Sequence, residues 1–147
     1  WEFSAGDLWT LHLYYDGEDI GKRLIELMNE PGAVVAGAEF GQQRVGALPG
    51  ADVEGLPVLL TECGGVGYGA YGEADFSYGE LPTTEEELER DIRRIAEMVI
   101  AAESLQGFVW TQLTDIQQEV NGLLYFDRRP KLPLAMLHDI FSGIGQP

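Results

Sequence analysis

The sequence predicts an α/β fold, a parallel sheet covered by helices. Three observations predict it. Strand-like apolar runs alternate with helix-like stripes along the chain. The runs are continuous rather than alternating, which marks strands buried on both faces. The stretches between them carry helical spacing and are long enough for crossover connections. A doubly wound sheet and a (β/α)8 barrel both satisfy this pattern. No Gly-x-Gly-x-x-Gly follows a strand and opens a helix, which counts against a dinucleotide-binding version.

Leu8 to Tyr15 is β-branched, aromatic and aliphatic, and ends at Asp16-Gly17, so it reads as a strand and a turn. Ile20, Leu24, Leu27 and Met28 then recur at helical spacing, and Asn29-Glu30-Pro31-Gly32 stops that helix. A Gly- and Ala-rich connection runs to about Gly55, with Ala33 to Ala38 either a short strand or irregular. Pro57 to Thr61 is the second strand. Gly64 to Pro82 is a glycine-rich loop holding Tyr68, Tyr71, Phe76 and Tyr78, aromatics that suit a ligand wall or a self-packed loop. Thr84 and Glu87 form a capping box, and Leu88, Ile92, Ile95, Val99 and Ala102 form the buried stripe of a long helix. Gly107 to Leu113 is the third strand, Asp115 to Pro130 a polar loop, and Pro133 opens a last helix bearing Leu134, Leu137 and Phe141.

Composition narrows the partners. Nine basic residues stand against 25 acidic ones, a formal charge of -16, which argues against nucleic acid and anionic membranes as partners, since both require a basic face. A neutral ligand suits this balance. No apolar run approaches the ~20 residues of a membrane span. The single cysteine, Cys63, excludes an intrachain disulfide framework and fits a reducing compartment such as the cytoplasm. The chain opens at Trp1-Glu2-Phe3 without an initiator Met and reads as a piece, 1–147, of something longer.

The chemistry concentrates at one place. The apolar run Pro57-Val58-Leu59-Leu60 ends in Thr61-Glu62-Cys63-Gly64-Gly65, a lone carboxylate followed by glycines. An apolar strand wants low dielectric and Glu62 wants water or partners, while glycines let the chain turn and leave the carboxylate uncovered. The alternative is a strand-end Glu that merely solvates a turn. In a barrel the strand ends face one mouth. That would gather Trp1 and Glu2, His12 and Tyr14, Glu62, and Trp110 with Gln112 and Asp115. One carboxylate among aromatics and neutral hydrogen-bonding groups suits a sugar, whose C–H face packs on a ring. Each also has a plain role: Trp110 as core, His12 as a hydrogen-bonded structural histidine, Tyr14 as closure of the mouth.

Leu60-Thr61-Glu62-Cys63-Gly64-Gly65 resembles the nucleophile strand of glycoside hydrolase family 2, the family of β-galactosidases, β-glucuronidases and β-mannosidases. Gly107 to Asp115 resembles that family's last barrel strand, and the likeness continues through Gln118 to Leu123 and Asp127-Arg128-Arg129-Pro130-Lys131. Tyr78-Gly79 and the His-x-Tyr of the first strand fit as well. The resemblance implies a retaining glycosidase on a (β/α)8 TIM barrel, of which this chain holds the C-terminal part: the end of strand five and strands six to eight. The upstream half of the barrel and accessory β-sandwich domains would complete it, without a cofactor or a metal, and oligomerisation is left open.

By the same resemblance Glu62 is the nucleophile, Trp110 the platform under the sugar, and Tyr14 a hydrogen-bond donor to Glu62. Trp1, Glu2, His12 and Gln112 complete the sugar-binding set. The acid/base, an Asn-Glu pair at the end of strand four, falls upstream. Asn29-Glu30 repeats those letters at the end of a helix, too near Glu62 in sequence to leave room for the intervening barrel units. Cys63 stands where the family often has an aromatic residue and reads as a small buried thiol, with no basic neighbour or helix N-terminus to activate it. The family's glucuronidases carry an Asn-x-Lys that reads the sugar carboxylate. Here that place holds Glu119-Val120-Asn121-Gly122, so a neutral β-glycoside such as a β-galactoside is expected. The alternatives are a barrel that binds sugar without cleaving it and an acidic interaction domain.

Overall fold

A computed structural model describes residues 2–14, 20–30, 34–35, 44–69 and 81–142. Its elements, in chain order, are β1 (Trp9–His12), α1 (Ile20–Asn29), β2 (Val34–Val35), β3 (Arg44–Val45), β4 (Val58–Gly64), α2 (Glu85–Ile100), β5 (Leu105–Thr111) and α3 (Leu134–Ser142). β1, β4 and β5 form a sheet in the order β1-β4-β5, parallel throughout. β2 and β3 pair antiparallel as a separate two-residue ribbon. The fold is α/β with parallel strands joined through helices, as the alternation of runs and stripes predicts.

The helices cover one face of the sheet. Leu24 and Leu27 of α1 and Leu88, Ile92, Ile95, Ala96 and Val99 of α2 are buried, the i, i+3, i+4 stripes expected of core-facing helices. α2 packs against α1, α3 and β4. Thr84 caps α2 by accepting the Glu87 N–H at 3.2 Å. The Glu87 carboxylate reaches past the cap to the Thr83 N–H and hydroxyl, both at 2.8 Å, so the reciprocal half of the capping box is shifted one residue. α3 buries Leu137 and Ile140, and Leu134 is exposed.

The strands alternate more than a doubly covered sheet requires. In β4, Val58 and Leu60 are buried on the helix side, and Leu59 is half-buried on the other. This period of two would carry Glu62 to the helix side as well. A bulge prevents it. From Leu11 to His12 the partner on β4 advances from Leu60 to Glu62. From Phe108 to Trp110 it advances from Leu60 to Cys63. Both neighbours therefore register one extra residue in β4 between Leu60 and Cys63. Thr61 and Glu62 lie half-buried, and Cys63 returns to the core. Bulges re-aim side chains in this way, at the cost of local ladder hydrogen bonds.

Candidate functional site

Glu62 occupies the C-terminal end of the central strand, turned off the helix-covered face by the bulge. β1 supplies its partners. His12 ends β1 opposite Glu62, and Leu13 still donates its backbone N–H to the Glu62 carbonyl at 2.9 Å. Tyr14, just past the strand, donates its hydroxyl to Glu62 Oε2 at 2.6 Å. His12 Nδ1 lies 3.0 Å from the same oxygen. Both contacts fall on Oε2, and Oε1 has no hydrogen bond among the described residues. The His12 and Glu62 side chains are 36% and 38% exposed, open enough to meet a ligand. Burial pushes the His12 imidazole below its ordinary value, against the pull of the Glu62 charge.

Behind Glu62 the chain turns through Gly64 and Gly65, at φ +96° and +75°. Gly64 is constrained a second way: a Cβ there would lie 2.6 Å from the Trp110 indole. Trp110, paired with Cys63 across β4 and β5, is half-buried, with its ring edge-on to Phe141 at 5.2 Å. It belongs to the rim of the core and stands beside the Glu62 strand end.

The loop after β5 is a compact polar knot. Lys131 Nζ donates to Asp115 Oδ1 at 2.7 Å and to the Val120 carbonyl at 2.6 Å, with both charged side chains 1% exposed. Asp115 Oδ1 also accepts the Gly122 N–H at 2.8 Å. Asp115 Oδ2 and Asn121 Nδ2 are buried without a hydrogen-bond partner among the described residues. Burial holds Lys131 below its ordinary value, with Asp115 opposing. The Val120 carbonyl accepts the Tyr68 N–H as well, which ties the knot to the segment leaving Glu62.

The predicted residues thus divide. His12, Tyr14 and Glu62 meet directly, and Trp110 flanks them. Gln112 follows β5 and spends its amide N–H bonds inside the knot, on Asn121 Oδ1 at 2.7 Å and Glu119 Oε2 at 3.1 Å. Glu2 is exposed, and its backbone pairs with Val45 rather than with the three-stranded sheet. Trp1 lies outside the described residues, as do Tyr71, Phe76 and Tyr78. Glu30 is exposed at the end of α1, its N–H on the Glu26 carbonyl. Cys63 is fully buried, and burial pushes its thiol up to about 12.

Sequence reasoning missed the Lys131–Asp115 pair. Its signal was a lysine set between Pro130 and Leu132 at the edge of an apolar helix. No group of three or more His, Cys, Asp or Glu is placed to hold a metal, and no helix is long and apolar enough to cross a membrane, among the described residues. A cleft of about 530 Å³ opens beside Trp9, Val58 and Gln106, at the N-terminal end of the strands, and holds none of the predicted site residues.

No protein-family model matches this sequence, and no curated protein does. Solved structures do match. A GH2 β-galacturonidase from Eisenbergiella tayi, bound to galacturonate, superposes with a TM-score of 0.62 at 19% identity, covering 95% of this chain and 24% of that one. A Faecalibacterium prausnitzii β-glucuronidase gives 0.54 at 19% identity, over 94% and 22%. A Bifidobacterium dentium β-glucuronidase in complex with coumarin-3-O-glucuronide gives 0.52 at 19% identity, over 96% and 21%. The chain therefore has the fold of part of these glycosidases and spans less than a quarter of the length of each.

Proposed function

We propose that this chain carries the nucleophile of a retaining β-glycosidase, and that its three parallel strands are strands six to eight of a (β/α)8 barrel. One observation carries the reading. A bulge turns Glu62 out of the covered face at the end of the central strand, where Tyr14 and His12 hold one of its oxygens and leave the other free among the described residues. The fold shared with GH2 enzymes supports it.

In this reading ionised Glu62 attacks the anomeric carbon as the bond to the leaving oxygen breaks, giving a glycosyl-enzyme. A second carboxyl group, in a segment outside these residues and ~5–5.5 Å away in such enzymes, protonates the leaving oxygen and later activates the water that frees the sugar. The Tyr14 hydroxyl stabilises the carboxylate before attack and when it leaves. Trp110 offers a ring to the sugar's C–H face, and Trp1, Glu2 and, through its Oε1 acceptor alone, Gln112 are the candidates for its hydroxyls.

The sugar is read as neutral, a β-galactoside for instance. Among the described residues no lysine or arginine pairs with Glu62 or His12, and Lys131, which ends the Asp127-Arg128-Arg129-Pro130-Lys131 segment, is sealed against Asp115. A uronide is the second reading, favoured because the similar structures are named β-glucuronidases and a β-galacturonidase. Labelling of the complete protein with a 2-fluoro glycosyl fluoride, followed by peptide mapping, tests the assignment. The label is expected on Glu62, and a label on any other carboxylate would overturn it. Parallel assays with aryl β-galactoside, β-glucuronide and β-galacturonide separate the two sugar readings.

A further inference from the structure

We propose that His12 is a positioning residue that holds Glu62 while neutral and disables it when protonated, so that His12 sets the acid limb of the reaction. The inference rests on the reading of Glu62 as nucleophile and adds the regulation of that site. It begins with one oxygen. Tyr14 donates to Glu62 Oε2 at 2.6 Å, and His12 Nδ1 stands 3.0 Å from the same atom. A lone pair on Nδ1 would face a carboxylate lone pair at that distance. Nδ1 therefore carries a hydrogen, and the neutral ring has its lone pair on Nε2.

The neutral ring suffices for that contact. Glu62 on β4 and Tyr14 beyond β1 are the titratable groups that meet His12 at this oxygen among the described residues. Burial outweighs the attraction of Glu62, so the ring is neutral at neutral pH. Protonation at lower pH leaves the ring in place and adds a charge. The imidazolium then binds the electrons that Glu62 must donate. It also stands beside the positive charge that grows on the anomeric carbon. A like charge about 6 Å away at an effective dielectric near 20 slows such a step roughly 100-fold.

The test uses the complete protein and two independent readouts. The first is the pH profile of kcat/KM on an aryl glycoside. His12→Asn keeps an N–H donor near the Nδ1 position and does not titrate. Its acid limb should move to lower pH. Below the wild-type limb the variant should outperform wild type, by up to roughly 100-fold. An unmoved limb overturns the proposal.

The second readout is ¹⁵N NMR of the imidazoles, with exposed His138 as reference. The expected signals are a protonated Nδ1 and an unprotonated Nε2 at neutral pH. Glu62→Gln should lower the His12 titration point further, because the carboxylate that pulled it up is gone. An Nε2–H tautomer, or a titration point unmoved by Glu62→Gln, overturns the proposal even in an active enzyme. The predicted coupling in a protein that cleaves no glycoside overturns the glycosidase reading, and the gating with it. The NMR measurement needs no variant of His12 to fold.

Discussion

Two carboxylates, Glu62 and Asp115, come at or after the ends of the adjacent strands β4 and β5, and they live in opposite conditions. Glu62 is 38% exposed, and its neighbours are a tyrosine hydroxyl and a neutral imidazole. Asp115 is 1% exposed and faces a lysine ammonium sealed to the same degree. Neutral donors meet Glu62 at Oε2 and leave Oε1 without a hydrogen bond among the described residues. A full countercharge spends Asp115 on holding the loop. The letters are alike, acid residues beside strand ends, and solvent access together with the partner's charge separates the proposed reagent from the anchor.

Glu62→Gln should produce the largest effect. With Glu62 in the proposed nucleophile role, its loss should lower kcat on the order of 10⁴-fold or more, as removal of a covalent catalyst does elsewhere. The melting temperature should hardly move, since a half-exposed glutamine still accepts from Tyr14. A large loss of stability with activity retained would place Glu62 among the anchors and erase the distinction.

Lys131→Met probes the sealed side. It strands the Asp115 charge in the interior, and breaking a buried pair costs about 3–5 kcal/mol. The comparison sharpens with the double variant Asp115→Leu/Lys131→Met, which removes both charges and the unpaired Asp115 Oδ2. Urea denaturation should show most of the loss recovered, because paired apolar replacements are often neutral. If the double variant is no more stable than Lys131→Met, the knot depends on more than its charge pair.

Much of this division was legible in the sequence. The stripes of α1, α2 and α3 and the runs of β4 and β5 have clear periods, and their positions hold to within a few residues. β1 stops at His12 rather than Tyr15 because beyond the bulge its ladder reduces to the Leu13 N–H on the Glu62 carbonyl. The β2–β3 ribbon was only half anticipated, since two-residue strands in a Gly- and Ala-rich stretch carry no period. The meeting of His12, Tyr14 and Glu62 followed from strand ends and the family resemblance. The bulge that aims Glu62 did not. Its trace is Thr61-Glu62, two successive half-buried residues before buried Cys63, where strict alternation allows one. The capture of Gln112 by Glu119 and Asn121 was hidden for another reason, because only the folded loop brings them together.

Trp110 stands between the two regions, and Trp110→Ala tests to which it belongs. The ring is half-buried against Gly64 and Phe141, so stability should fall by about 2–3 kcal/mol, less than for a fully buried tryptophan. If it also supports the sugar, kcat/KM per folded molecule should fall about 2- to 13-fold further, since a ring contact contributes about 0.5–1.5 kcal/mol. Unchanged activity per folded molecule would assign it to the core alone.

Cys63 gives the smallest effect and the finest cut, because it is the residue next to Glu62. The bulge that exposes Glu62 returns Cys63 to the core, with Sγ 3.5 Å from the Val109 carbonyl and the thiol pushed up to about 12. Thiolate is the reactive form, so at pH 8 its fraction is about 10³-fold below that of a free cysteine. Iodoacetamide should label the native protein at least that much more slowly than the urea-unfolded chain. Cys63→Ala should leave glycoside cleavage within about twofold, since the thiol's hydrogen bond goes to the Val109 carbonyl rather than to Glu62, His12 or Tyr14. Rapid native labelling, blocked by a sugar ligand and matched by loss of activity, would show that the open region reaches Cys63. The boundary between reagent and anchor would then lie deeper in β4 than the bulge.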